Sequence, residues 1–252
     1  MARQARKKSD SGIYHLILRG NNRQNIFEAD EDRTRFIDTI RFYKKICNYE
    51  LFGYCLMNNH IHLLIKENGE SVSKIVKRIS SSYVSWYNQK YARCGHLFQE
   101  RFRSEAVETD EYFLTVLRYI HQNPLKAGIT EDMEKYVWSS YREYMGNSDH
   151  VEVDFAFSLI LGDKTKSKES LLKFMSEKND DQCLKHREKI KICDDEVIEY
   201  LKKLGILNVS ELQRIEIEKR NEIIRIIKRI EGITIRQIAR ITGIPKSVVD
   251  RI

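Results

Sequence analysis

His60 and His62 are two residues apart, separated by Ile61, in the run Met57-Asn58-Asn59-His60-Ile61-His62-Leu63-Leu64-Ile65. In an extended strand, residues i and i+2 project from the same side, so both imidazoles face one sheet surface while Leu63 and Ile65 face the other. Two imidazoles side by side on a sheet face can bind one divalent cation, provided both are neutral. On spacing alone, a pair of half-buried sheet histidines is the commoner arrangement. Tyr119 and Asn123 alter that balance. They stand at i and i+4, which places them on one face of a helix, and the amide oxygen of Asn123 is a hard donor suited to Mg2+ or Mn2+. A phenol, with an unperturbed pKa near ~10, is a poor nucleophile at neutral pH. A cation that stabilises the phenolate or polarises a phosphate makes attack on a phosphodiester feasible. Without the histidines, Tyr119 reads as a core aromatic beside Phe113, Val116, Leu117 and Ile120. Tyr112 is a competing tyrosine, but the residue at i+4 from it, Val116, is no ligand.

The elements that must position these groups are legible in outline. Gly12 to Leu18 is apolar and rich in β-formers, and Arg19-Gly20-Asn21-Asn22 follows it as a turn, predicting a first strand. Phe36, Ile37, Ile40, Tyr43 and Cys47 recur at helical spacing and predict a helix from Asp32 to Cys47, with Asp30 or Asp32 as its cap. Leu51–Met57 and Ile61–Lys66, joined through Asn58-Asn59, predict an antiparallel hairpin. Ser71 to Tyr91 predicts a long helix with Val72, Ile75, Val76, Ile79, Tyr83 and Trp86 along one side, and Ser104–Glu108 a fourth strand. The order βαββαβ is that of the ferredoxin-like arrangement, an α+β fold whose antiparallel sheet carries both helices on one face and leaves the other free for a ligand. Thr109 then caps a helix from Glu111 that is expected to stop near Asn123, because Pro124 disfavours helical geometry in the residue before it.

Three further runs, Asn221–Ile230, Thr234–Arg240 and Pro245–Ile252 with Gly243 between the last two, predict an all-α C-terminal region with a helix-turn-helix. Its core would be Ile235, Ile238, Ala239, Ile244, Val248, Val249 and Ile252. Its recognition helix would present Lys246, Ser247, Asp250 and Arg251 outward, although an ordinary helical bundle has the same pattern. The polar break Gly146-Asn147-Ser148-Asp149 suggests three parts: 1–146 carrying the histidine and tyrosine chemistry, 147–215 a helical linker, and 216–252 a DNA-binding domain.

A net charge of +7 and a pI near 9.0 suit a polyanionic partner, though solvated lysines give the same figure. Arg101 and Arg103, beside Phe98 and Phe102, join guanidinium groups to aromatic surfaces on which single-stranded bases stack, and an exposed basic loop over core phenylalanines is the alternative. The arm Arg3, Arg6, Lys7, Lys8 binds phosphate weakly at most. The chain lacks a run of apolar residues long enough to span a membrane and an N-terminal signal pattern, which predicts a cytoplasmic protein with no membrane partner. Five cysteines without a close pair fit a reducing compartment, and Cys183, His186 and Cys193 match no common zinc spacing.

Three segments, MNNHIHLLI (Met57 to Ile65), GHLFQERFRS (Gly95 to Ser104) and YIHQNPLKAG (Tyr119 to Gly128), resemble the signature blocks of the HUH single-strand DNA transposases, in particular the REP-associated tyrosine transposases. They run in order within Gly12 to Tyr144. The resemblance implies that His60 and His62 bind Mg2+ or Mn2+ on a ferredoxin-like sheet, that Asn123 is the helix-borne ligand, and that Tyr119 is the nucleophile. It implies cleavage and rejoining of single-stranded DNA, a hairpin or another structured element, through a 5′-phosphotyrosine link and a free 3′-hydroxyl, without an external energy source. It leaves open whether the enzyme works as a monomer or a homodimer. The family usually has proline where this chain has Asn58, and a turn accepts either residue.

Two other classes of function compete. A domesticated regulator would read duplex DNA through the C-terminal helix-turn-helix with the nuclease centre idle. An RNA-binding ferredoxin-like module would carry stacking aromatics on the open sheet face, where this sequence has histidines.

Overall fold

The computed structural model describes residues 7–99, 101–146, 148–160, 164–181, 183–184, 194–206, 208–230 and 233–252. Arg3, Arg6, Glu100, His186 and Cys193 lie outside them. The chain divides into two compact units, residues 1–184 and 185–252.

The first unit has four strands, β1 (Ile13–Arg19), β2 (Glu50–Leu56), β3 (His60–Lys66) and β4 (Arg103–Ala106), in one antiparallel sheet of order β2-β3-β1-β4. Helix α1 (Asp30–Cys47) joins β1 to β2, and α2 (Val72–Lys90) joins β3 to β4. The side chains of Leu16, Leu18, Leu63 and Ile65 are buried in one apolar cluster with Phe36 and Ile40 of α1 and Ile75, Ile79 and Tyr83 of α2. Alternation in the strands sends His15 and His62 to the other side.

Two expectations need correction here. Neither aspartate is the N-cap of α1, which is Ala29; instead Asp32, inside the first turn, accepts hydrogen bonds from the backbone N–H groups of Glu28 (2.7 Å) and Ala29 (2.9 Å). The carboxylate thus satisfies the helix's free donors from within. The helix bearing Tyr119, α3 (Asp110–Lys126), also does not stop at Asn123 but runs through Pro124. A proline in the last turn forfeits a single backbone bond. Gly128, at φ +66°, is the residue that turns the chain away. The Thr109 cap is present, its hydroxyl oxygen accepting from Tyr112 N.

The free edge of β2 is covered. Leu56 N donates to Trp138 O, Ser140 N donates to Tyr54 O, and the hydroxyls of Tyr136 and Tyr144 donate to the carbonyls of Leu56 and Phe52. These bonds occupy the backbone groups that an edge strand would otherwise offer to another chain. Short helices α4 (Tyr141–Met145), α5 (Val153–Ser158) and α6 (Lys164–Ser176) complete the unit, so its packing continues well past residue 146.

In the second unit, α7 (Asp194–Lys203), α8 (Ile217–Lys228), α9 (Ile235–Thr242) and α10 (Lys246–Arg251) enclose their own core of Val197, Leu201, Ile223, Ile224, Ile227, Ile238, Ile244 and Val249. Gly243, at φ +68°, makes the turn between α9 and α10. Among the described residues no helix is long and apolar enough to cross a membrane.

Candidate active site

The site is built where β1, β3 and α3 meet. In the β1–β3 ladder Ile17 pairs with His62 and Arg19 with His60, which brings His15 and His62 together on one face although they are distant in sequence. Their rings are stacked, 5.3 Å between centroids, with His15 Nε2 and His62 Nδ1 in a hydrogen bond of 3.0 Å. His60 lies beside His62, rings 5.0 Å apart, and its Nδ1 is 2.6 Å from Asn59 Oδ1.

Helix α3 crosses this face, so the face is not left free as the sequence order suggested. Gly53 of β2 permits the approach: a Cβ there would stand 3.1 Å from Leu117 Cδ1. The Tyr119 ring meets both buried imidazoles edge-on, 5.7 Å from His62 and 5.9 Å from His15. Asn123, one turn on, donates from Nδ2 to the Tyr119 carbonyl at 2.7 Å, which turns its amide into a fixed group with Oδ1 as its acceptor. The outer side of α3 is held as firmly. Arg118 makes a two-pronged ion pair with Asp181 (2.7 and 3.1 Å) and lies over the Phe174 ring, while Gln122 donates to the carbonyls of Met175 and Glu177. A tyrosine on so constrained a helix is held close to one position, as a nucleophile requires.

Burial sets the electrostatics of the two inner histidines, His15 and His62. Burial holds the pKa of His15 at about 3. Burial, helped by the charges of His60, His15 and Arg19, holds His62 well below its ordinary range. Both imidazoles are therefore neutral at physiological pH, the state in which they bind metals. Burial raises the Tyr119 phenol above its ordinary 10; Cys183 and Glu105 push it the same way and Arg19 pulls it down. The phenol is not activated by its protein surroundings alone.

His62 Nε2 is buried without a hydrogen-bond partner, as is His15 Nδ1. An unmet polar atom of this kind costs roughly 1–3 kcal/mol. A divalent cation at His62 Nε2 would offset that cost, and imidazole nitrogens with an amide oxygen such as that of Asn123 are a donor set of the right chemistry. Among the described residues no group of three or more His, Cys, Asp and Glu side chains is placed to hold a metal ion, so a centre at His60 and His62 would depend on Asn123 for a third protein donor.

The remaining sequence-derived candidates fall elsewhere. Arg103 is exposed on β4 opposite Ile17, on the histidine side of the sheet, and Arg101 is exposed just before it. Phe98 and Phe102 are half-buried against the core. Lys246, Ser247 and Arg251 are exposed on α10 of the second unit. Asn58, in the turn before β3, accepts a 2.7 Å hydrogen bond from Arg33 at its side-chain oxygen. Cys183 is buried, which raises the pKa of its thiol.

His15, Arg19 and Glu105 were missed from sequence. The signal for His15 was a lone imidazole within the otherwise apolar GIYHLIL. Its partner was not readable, because strand register is a long-range property.

Residues 8–123 match the protein family described as transposase IS200-like. A protein of Haemophilus influenzae named as a REP-associated tyrosine transposase is 24% identical over 157 residues, covering 56% of this chain and 86% of its own. Among solved structures, a REP-associated tyrosine transposase bound to a REP hairpin aligns at 16% identity and a TM-score of 0.49, covering 58% of this chain and 87% of that one. A transposase from Deinococcus radiodurans aligns at 17% identity and a TM-score of 0.34, covering 54% and 98%.

Proposed function

We propose, from the match of residues 8–123 to the IS200-like transposase family, that this chain cleaves and rejoins single-stranded DNA with Tyr119 as its nucleophile. The observation that carries the reading is the Tyr119 ring packed against His62, whose buried Nε2 has no partner. The ferredoxin-like reading of the first unit is supported by the sheet order β2-β3-β1-β4 with crossover helices after β1 and β3.

His60, His62 and Asn123 would hold Mg2+ or Mn2+. Such an ion polarises a phosphate and supports a phenolate at neutral pH. Tyr119 Oη attacks phosphorus, the new O–P bond forms as the P–O3′ bond breaks, and the 3′-oxygen leaves to become a hydroxyl. The 5′-phosphate stays on the tyrosine. Reversal by another 3′-hydroxyl needs no external energy, since one phosphodiester replaces another. His15 and His62 wall the phenol with neutral rings, and α3 keeps it in place. Arg101 and Arg103 would bind the strand through phosphate and stacking contacts.

The name of the Haemophilus relative, a REP-associated tyrosine transposase, supports REP DNA as the substrate. The Gly243 turn between α9 and α10, with Lys246, Ser247 and Arg251 exposed, supports a helix-turn-helix that reads duplex DNA.

The test is a covalent-adduct assay on the full chain with Mn2+ or Mg2+ and a labelled hairpin oligonucleotide. An adduct should form in the wild type and vanish in Tyr119→Phe. An adduct that survives this substitution removes Tyr119 from the mechanism, and duplex binding without any cleavage favours a regulator.

A further inference from the structure

We propose that His15 is a positioning residue: by accepting a hydrogen bond from His62 Nδ1, it holds His62 in the tautomer whose Nε2 carries a lone pair. This deepens the reading of His62 as a metal ligand, on which it rests. His15 lies outside the three signature segments and enters the site only through the β1–β3 register.

Each neutral imidazole carries one N–H, so the 3.0 Å bond between His15 Nε2 and His62 Nδ1 has two forms. In the first, His15 donates, and His62 must carry its proton on Nε2, where it cannot ligate a cation. In the second, His62 donates from Nδ1, and its Nε2 presents a lone pair. Both forms leave the outer nitrogens, His15 Nδ1 and His62 Nε2, buried without partners. Only the second allows a cation to satisfy one of them. The cation and the His15 acceptor therefore favour the same tautomer.

His60 follows the same rule by another route. Its Nδ1 lies 2.6 Å from Asn59 Oδ1, a side-chain oxygen that only accepts, so Nδ1 carries a proton and, in the neutral ring, the lone pair is on Nε2. The usual partner for the other ring N–H of a ligand histidine is a carboxylate, a backbone carbonyl or a water. At His62 an imidazole replaces it, and the ring gives what a carbonyl would not. It stacks on His62 at 5.3 Å with planes 23° apart, and its edge meets Tyr119 at 5.9 Å. One buried side chain thus orients both the ligand ring and the nucleophile ring.

The experiment uses 15N-labelled full-length protein without metal, and two-bond 1H–15N correlation spectra that distinguish the histidine tautomers. Wild-type His62 should carry its proton on Nδ1. In His15→Leu, with the fold verified by circular dichroism, a substantial fraction should shift to the Nε2–H form. Mn2+ affinity, read from the electron paramagnetic resonance of the free ion, should weaken about 10- to 100-fold, the range seen for partners of metal-ligating histidines. His15→Gln, whose amide oxygen reaches the position of Nε2, should recover most of that affinity. A wild-type spectrum with the His62 proton on Nε2 overturns the proposal without any variant. So does His15→Leu with an unchanged His62 tautomer and unchanged Mn2+ affinity. Equal Mn2+ binding by wild type and His62→Ala instead overturns the metal reading, while the tautomer spectra still decide the role of His15.

Discussion

Three glycines of the first unit differ in what a methyl group would meet, and replacing each with alanine separates close packing from backbone freedom. Gly20 follows β1 and has φ −60° and ψ 144°, a conformation open to any L-residue, so alanine there carries no backbone strain. Space is the obstacle. A Cβ at Gly20 would stand 2.2 Å from Gln24 O and 2.9 Å from Ile26 Cγ2, and the backbone oxygen has no rotamer to escape into. The turn must open by most of an ångström. That turn also donates from Gly20 N to Asn59 O and from Ile26 N to Asn58 O, and so supports the loop that delivers His60. Overpacking costs typically ~1–3 kcal/mol, and a backbone clash lies at the upper end. At ~2–4 °C per kcal/mol for a domain of this size, Gly20→Ala should lower Tm by about 6–12 °C. A Cβ at Gly69, by contrast, would meet nothing within 4 Å. Gly69→Ala should be neutral or stabilising by about 0.4–1 kcal/mol through the lost freedom of the unfolded chain. Gly53, at 3.1 Å from Leu117 Cδ1, should fall between, with adduct formation reduced more than Tm because the strain pushes on α3. Thermal melts followed by circular dichroism, with the adduct assay alongside, give the ranking. A Tm for Gly20→Ala within about 2 °C of that for Gly69→Ala, on the order of the ~1 kcal/mol spread expected of ordinary surface changes, would refute the reasoning.

Two further outcomes follow from buried polar groups. Asp32 is fully buried, accepts from two backbone N–H groups and Tyr91 OH, and pairs with Lys90 at 2.6 Å. Asp32→Ala should cost on the order of 3 kcal/mol in urea unfolding, whereas Asp30→Ala, at an exposed ion pair, should cost under ~1 kcal/mol; equal losses would show that the network contributes nothing. His121 is fully buried against Ser140, Met175 and the rings of Tyr141 and Tyr144, and burial lowers its pKa from 6.5 to about 3. The unfolded chain takes up a proton below 6.5 and the native state does not, so stability is full above 6.5 and falls as pH drops towards 3. Between pH 7 and 5 this residue should account for about 2 kcal/mol of lost stability. His121→Gln should remove that share of the slope, and a slope unchanged in the variant would exclude the residue as its source.

The element order and the site's local logic were readable from residues because they depend on short-range rules. Alternation places His60 and His62 on one face, and i,i+4 spacing places Tyr119 above Asn123, whatever the rest of the chain does. The Pro124 expectation failed for a related reason. The rule concerns the residue before proline, while buried Pro124 packs in the last turn of α3, where one missing backbone bond costs little against that packing. At Asp32 the residue type was read correctly as a capping group, but its position was not, because a carboxylate at the third helical position reaches the same donors.

What residues alone determined, then, was which groups exist and which neighbours share a face. Tertiary structure decided the partners. The β1–β3 register put His15 against His62, the Gly53 surface let α3 descend on the histidines, and Asp181 reached back to Arg118 on the outer side of that helix. Register and docking are chosen by the burial of many distant side chains at once, as an offset of one residue would turn His15 and His62 to opposite faces. No local pattern encodes that sum.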